Sequence, residues 1–146
     1  MSKTTFIGID PDVTKSGVAL KNGKEFELFN KTFFELFEFL KLQKQEAEII
    51  NKKLIVVIEC GFLNKSNWHK KVNGSASMNS KIGERTGANF ETAKKICEMC
   101  EYLQIDFRQI RPTKSKVNAA FFSQITGYKK RSNQEQRDAY MLIHGL

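Results

Sequence analysis

The chain has 146 residues, enough for one domain with a real hydrophobic core. Its net charge of +8 and pI near 9.4 favour a polyanionic partner, nucleic acid before others. No apolar run reaches membrane length, no charged-then-apolar leader opens the chain, and three cysteines make an odd, small set. These features weigh against a membrane protein or a disulfide scaffold and predict a soluble intracellular domain.

In chain order, residues 4–10 and 16–21 read as strands joined by a polar turn, Asp10 ending the first. Asn22-Gly23 signals a two-residue hairpin, and the alternation over 24–30 predicts a third strand. From Thr32 the period changes: Phe33, Phe34, Leu36, Phe37, Leu40, Ala47 and Ile50 predict a helix with a broad apolar face. The run Leu54-Ile55-Val56-Val57-Ile58 predicts a strand buried on both faces, ending in Glu59. A long polar segment follows, from 60 to about 82, of the length that functional loops have. A helix is expected over 83–102, with Cys97-x-x-Cys100 inside its apolar pattern as two small core residues. Residues 105–110 predict a fifth strand, and Arg111-Pro112-Thr113 a helix start, with Gly127 as its stop. A last helix is expected from Ser132 or Asn133 to His144. The order β-β-β-α-β-α-β-α-α implies one α/β domain: a five-stranded mixed sheet, three antiparallel strands then two parallel, with helices on both faces.

The acids gain meaning on that scaffold. Asp10 and Glu59 end strands expected to lie side by side and parallel, so both project at the sheet edge where ligands gather. Glu135 and Asp138, three apart on the last helix, share a face. Clustered carboxylates repel, and hard divalent cations such as Mg2+ or Mn2+ are the common remedy. Each acid alone reads as a turn former or a first-turn helix residue; the set together is a candidate metal site.

The cations are uneven along the chain. Arg108, Arg111, Lys114, Lys116, Lys129, Lys130 and Arg131 fall in one window that contains no acid, and Lys65, Lys70, Lys71, Lys81 and Arg85 lie in or after the polar segment. This is the pattern of a phosphate-binding surface. Phe62 and Trp68 stand among these lysines, suited to stacking on or wedging between bases, although Phe62 lies close enough to the strand to anchor the loop instead. His69 in the same segment reads as incidental.

The stretches "GIDPDVTKSGVAL" (8–20), "VVIECGF" (56–62), "RPTKSKV" (111–117) and "EQRDAYMLIHG" (135–145) resemble, in order and over nearly the whole length, RuvC-type Holliday junction resolvases of the RNase H-like superfamily. That resemblance implies a single RNase H-like nuclease domain over 1–146, with Asp10, Glu59, Glu135 and Asp138 binding two Mg2+ ions, Mn2+ substituting. It implies that Phe62 contacts the junction and that Lys114, or its neighbour Lys116, approaches the phosphate. The family acts as a homodimer, with a contact mapping here to about 84–100, and nicks two symmetric strands of a four-way junction. The products expected are a 5′-phosphate and a 3′-hydroxyl, formed in the cytoplasm of a bacterium or a phage-infected host. The chain departs from the family at Asp12, which stands where glycine is usual after Asp-Pro; Asp tolerates a left-handed backbone, so the turn is expected to survive. The long segment after Glu59 and the compact C-terminus look more like phage-encoded relatives, some of which cut branched DNA broadly.

Other readings share parts of the pattern. An RNase H-like enzyme acting on RNA–DNA hybrid or flaps needs the same acids, and a junction-binding module could retain the fold without catalysis. A sugar-kinase-like ATPase also opens on a "GID" strand and hairpin, but repeats the unit in a second domain for which 146 residues leave no room.

Overall fold

The computed structural model describes residues 3–64, 76–113 and 115–146. Five strands form one mixed sheet: β1 (Thr4–Asp10), β2 (Ser16–Asn22), β3 (Glu25–Lys31), β4 (Lys53–Glu59) and β5 (Asp106–Ile110). Their spatial order is β3-β2-β1-β4-β5, with β1–β2 and β2–β3 antiparallel and β1–β4 and β4–β5 parallel. This is the five-stranded mixed sheet expected, three antiparallel strands and then two parallel. Helices α1 (Phe33–Ile49) and α2 (Ala76–Tyr102) cover one face, while α3 (Ala119–Thr126) and α4 (Gln134–Met141) lie on the other.

Strand alternation explains the division. Ile7, Ile9, Val18, Val56 and Ile58 point toward α1 and α2, whereas Ala19, Ile55 and Val57 meet Phe122, Ala139, Tyr140 and Ile143 from α3 and α4. β4 is buried on both sides at every position from Leu54 to Ile58, as its unbroken apolar run predicts. Cys97 and Cys100 are core residues of α2, packed with Cys60 in the first layer.

Several element boundaries differ from the expectation. The hairpin loop is Gly23-Lys24, with Asn22 paired to Glu25, so the third strand starts one residue later; Gly23 carries the positive φ of +68° at the first loop position. In α1, Thr32 closes a capping box with Glu35 as the sequence pattern allows. Leu36, Leu40 and Ala47 are buried, but Phe34 is 79% exposed and Ile50, which caps the helix, also faces solvent. The apolar stripe is therefore narrower than the count of apolar residues suggests. α2 begins at Ala76, within the segment expected to be a loop; the residues that open it are mostly polar and give no apolar period to read. No helix starts at Arg111-Pro112: the described residues of the 111–118 linker, 111–113 and 115–118, are irregular, and α3 waits for Asn118, whose side chain accepts from the Phe121 N–H. Gly127 does end it, at φ +74°. α4 is shorter than expected, because regular helix ends at Met141 and gives way to turns before Gly145.

Candidate active site

The site is built where β1, β4 and α4 meet. On β1, Asp10 shares its side of the sheet with Phe6 and Gly8; on β4, Glu59 shares it with Ile55 and Val57. Both acids thus face α4. Ile9 pairs with Ile58 in the parallel register, which sets Asp10 and Glu59 next to each other at the carboxyl ends of adjacent strands. α4 reaches them because it lies almost on the backbone of β1 and β2. A Cβ on Gly8 would stand 2.1 Å from the Ala139 carbonyl oxygen, and one on Gly17 would stand 2.1 Å from that of Glu135. Two glycines on neighbouring strands let the helix approach closely enough for Asp138 to join the strand acids.

The acids are electrostatically strained together. The Asp10 carboxyl is pushed up to about 8, by burial first and then by the charge of Glu59, by its hydrogen bond to Glu59 and by Asp138, with Lys116 opposing. Glu59 is also raised, by burial first; the hydrogen bond from Asp10 and the charge of Lys116 oppose this, and Asp138 adds to it. At neutral pH Asp10 therefore holds a proton and donates it to Glu59. Asp138 lies between two partners: Lys116 Nζ is 2.8 Å from Oδ2, and Gln134 Nε2 donates to Oδ1 at 2.8 Å. Burial works against the Lys116 charge, but Asp138, Glu59 and Asp10 outweigh it and raise its pKa.

Lys116 is held at the site by the 111–118 linker, which is itself tied to α4. The guanidinium of Arg137, among the few buried charged groups, donates from Nε to the Val117 carbonyl at 2.8 Å and from Nη1 to the Ser132 carbonyl at 2.8 Å. Gln134 also donates to the Val117 carbonyl. Sequence reading singled out neither Arg137 nor Gln134. The i, i+4 spacing of Gln134 and Asp138 is a legible signal for that pair; nothing local marks Arg137 as a buried anchor.

Other expected residues fall in different places. Glu135 is exposed on the first turn of α4, and among the described residues its carboxylate has no hydrogen-bond or ion-pair partner. Phe62 sits in a single 3₁₀ turn (Gly61–Leu63), half-buried against the first core layer, with Lys94 Nζ 5.6 Å from its ring centre. Arg111 borders a groove beside Glu59 and Asp138. Arg85 is instead paired with Asp12 at 3.2 Å, and Lys81 is exposed on α2. Lys129 and Lys130 lie by the Gly23-Lys24 hairpin, at the opposite end of the sheet from Asp10, while Arg131 lies beside Asn133 and Gln136. The cation-rich window is therefore distributed around the molecule. Trp68, Lys70, Lys71 and Lys114, with Lys65 and His69, lie outside the described residues. The stretch 84–100 falls on α2, whose outward side chains form internal pairs, Lys94 with Glu91 and Lys95 with Glu98.

Asp12 proves to be a loop anchor. Its Oδ2 accepts from the Thr14 and Lys15 N–H groups, at 2.9 and 3.3 Å, and its Oδ1 receives Arg85 from α2. Asn89 accepts from the Val13 N–H at 3.0 Å, adding a second tie. Asp12 is not among the residues of positive φ, so the left-handed backbone expected there is absent; an Asx turn closes the loop instead.

Among the described residues no three His, Cys, Asp or Glu side chains are arranged as a ready metal cage, and Asp138 is paired with Lys116. The donor chemistry nonetheless fits a hard divalent cation. Three convergent carboxylates, two of them half-buried, are offset by one lysine and one proton, and both can be displaced.

No protein-family model and no curated protein matches the sequence. Among solved structures the chain is similar to T. thermophilus RuvC in complex with a Holliday junction substrate, at 13% identity, covering 95% of this chain and 89% of that one, with a TM-score of 0.47.

Proposed function

We propose that the chain is a divalent-metal-dependent endonuclease of the RuvC type that acts on branched DNA as a homodimer. The observation that carries this reading is the meeting of Asp10, Glu59 and Asp138, from three separate elements, with Lys116 beside them. Such a cluster has no packing use and costs stability, which is the mark of a functional site.

Asp10, Glu59 and Asp138 would hold Mg2+, or Mn2+ in its place, helped by Glu135 one turn earlier on α4. Bound there, the metal supplies an activated water and stabilises the leaving oxygen of a phosphodiester. The remaining work falls to the chain. Asp10 releases the proton it donates to Glu59, so that both can act as charged ligands. Lys116 passes from Asp138 to a phosphate oxygen, where its charge offsets the one that develops there. Gln134 keeps Asp138 oriented through its other oxygen. Cleavage leaves a 5′-phosphate and a 3′-hydroxyl, and the neighbouring basic side chains hold the arms of the junction.

The test is a panel of a four-way junction, a flap and an RNA–DNA hybrid of matched sequence, each with Mg2+. The expected result is preferential cutting of the junction. Preference for the hybrid would move the protein to the RNase H-type reading, and tight junction binding without any cut would make it an inactive binding module.

A further inference from the structure

Asp10 and Glu59 are the last residues of β1 and β4, and the chain leaves each of them in a turn. The N–H groups of residues 11–15, which follow Asp10, can be traced in full. Pro11 has none. Asp12 donates to Ser16 Oγ at 3.1 Å, and Thr14 and Lys15 donate to the Asp12 carboxylate. The Val13 N–H alone leaves the loop, donating to Asn89 Oδ1 on α2 at 3.0 Å. The Val13 side chain is 51% exposed, so packing does not hold the tip of the loop. Polar ties to α2 do: Asn89 on Val13, and Arg85 on Asp12.

The same turn of α2 meets the chain leaving Glu59. Phe90, next to Asn89, is buried, and its ring lies against the 3₁₀ turn: a Cβ on Gly61 would stand 2.7 Å from Phe90 Cε1. A pocket of about 170 Å³ remains, with Asp10, Glu59, Thr86 and Asn89 in its lining. Phe90 roots this turn of α2 in the core, while Asn89 beside it is polar and only partly covered. One hydrogen bond at a solvent-facing site adds little to stability. What it can fix is the direction in which the loop leaves Asp10, and carboxylates ligate a cation well only when contacts behind them hold their orientation.

We infer that the turn of α2 carrying Asn89 and Phe90 is a clamp on the acid pair. Asn89 is a positioning residue that holds the loop leaving Asp10, and Phe90 holds the turn leaving Glu59, so that the two carboxylates stay in the arrangement a divalent cation needs. This deepens the metal-site reading and rests on it. Asn89 has no contact with either carboxylate among the described residues, and acts through the loop.

The experiment uses the full chain with Asn89→Ala, which removes the acceptor for the Val13 N–H, and Asn89→Asp, which keeps it. The exposed Glu91→Ala on the same helix is the control. Mg2+ affinity is measured by calorimetry, junction affinity in chelator, and cleavage with the junction saturating at fixed Mg2+. Asn89→Ala is expected to bind Mg2+ about tenfold more weakly and to cut correspondingly more slowly. Its junction affinity and its melting temperature in chelator should match wild type. Asn89→Asp and Glu91→Ala should both retain wild-type Mg2+ affinity. Unchanged Mg2+ affinity in Asn89→Ala, or an equal loss in Asn89→Asp, would overturn the clamp while leaving the metal site in place. Wild type that binds no Mg2+ would overturn the metal-site reading and the clamp with it. Mg2+ binding that depends on Asn89, in a protein that cuts no branched DNA, would uphold the clamp and overturn the nuclease reading alone.

Discussion

At the residue scale, Asp10 and Asp12 illustrate two opposite uses of the same side chain. Asp10 is held protonated near a second acid, and its carboxyl titrates at about 8, above the ordinary 3.8. The folded state therefore binds that proton more tightly than the unfolded chain does. The stability it contributes is fully present below about pH 4 and is lost as pH rises to about 8. In metal-free protein, Asp10→Asn should raise the melting temperature at pH 8 by a few degrees, with the gain vanishing near pH 4; thermal melts in chelator across that range would show it. A variant no more stable than wild type at pH 8 would mean that Asp10 is not forced to hold its proton. The same shift predicts that Mg2+ affinity, measured by calorimetry, weakens by roughly tenfold for each pH unit below about 8, since the ion must displace the proton. Asp12 instead serves the backbone. Its pair with Arg85 is open to solvent and contributes under about 1 kcal/mol, but two N–H groups also depend on it. Urea unfolding should find Asp12→Ala more costly than Arg85→Ala, and equal losses would contradict the Asx turn as its main role. The sequence flags Asp12 as unusual but does not reveal its partner, because Arg85 lies 73 residues away.

At the scale of elements, the decisive contact is α4 lying on the glycines of β1 and β2. Adding one methyl at Gly8 would place it against the Ala139 carbonyl, a backbone atom that cannot turn aside. Gly8→Ala should therefore destabilise the protein by about 3 kcal/mol in chemical denaturation. It should also impair metal binding more than the exposed Gly83→Ala, whose Cβ meets nothing. Loss of Asn118 as the cap of α3 should cost about 1 kcal/mol in Asn118→Ala. These elements differ in how far the sequence announces them. The strands are legible because β4 is an unbroken apolar run and β1 ends in an acid. α1 is legible from the change of period at Thr32. The start of α2 is hidden because the residues that open it are mostly polar and show no apolar period, and Pro112 misleads because an irregular linker accepts proline as readily as a helix start does. The closeness of α4 to β1 has only Gly8 and Gly17 as its trace.

At the scale of the whole molecule, the topology does the assembling. Parallel pairing of β1 with β4 sets Asp10 beside Glu59, and the final helix on the same face delivers Asp138. The pairing of Asp10 with Glu59 was readable from strand order, since it needs only two strand-ending acids and a crossover, whereas Asp138 needed the last helix as well. The resemblance narrowed the cation beside them to Lys114 or Lys116 without choosing, because Lys116 reaches the site through a linker that Arg137 ties to α4. The scatter of the basic residues was not readable, as Lys129 and Lys130 are close to Arg131 in sequence yet lie by the hairpin end of the sheet. The central claim is that the three carboxylates form one metal-dependent nuclease site. Its most direct test is cleavage of a synthetic four-way junction by wild type and Asp10→Asn, side by side, with and without Mg2+. Wild type is expected to make paired symmetric nicks with Mg2+ alone, and Asp10→Asn to bind the junction without nicking it. Cleavage that survives in Asp10→Asn, or no cut by wild type on any branched DNA, would contradict it.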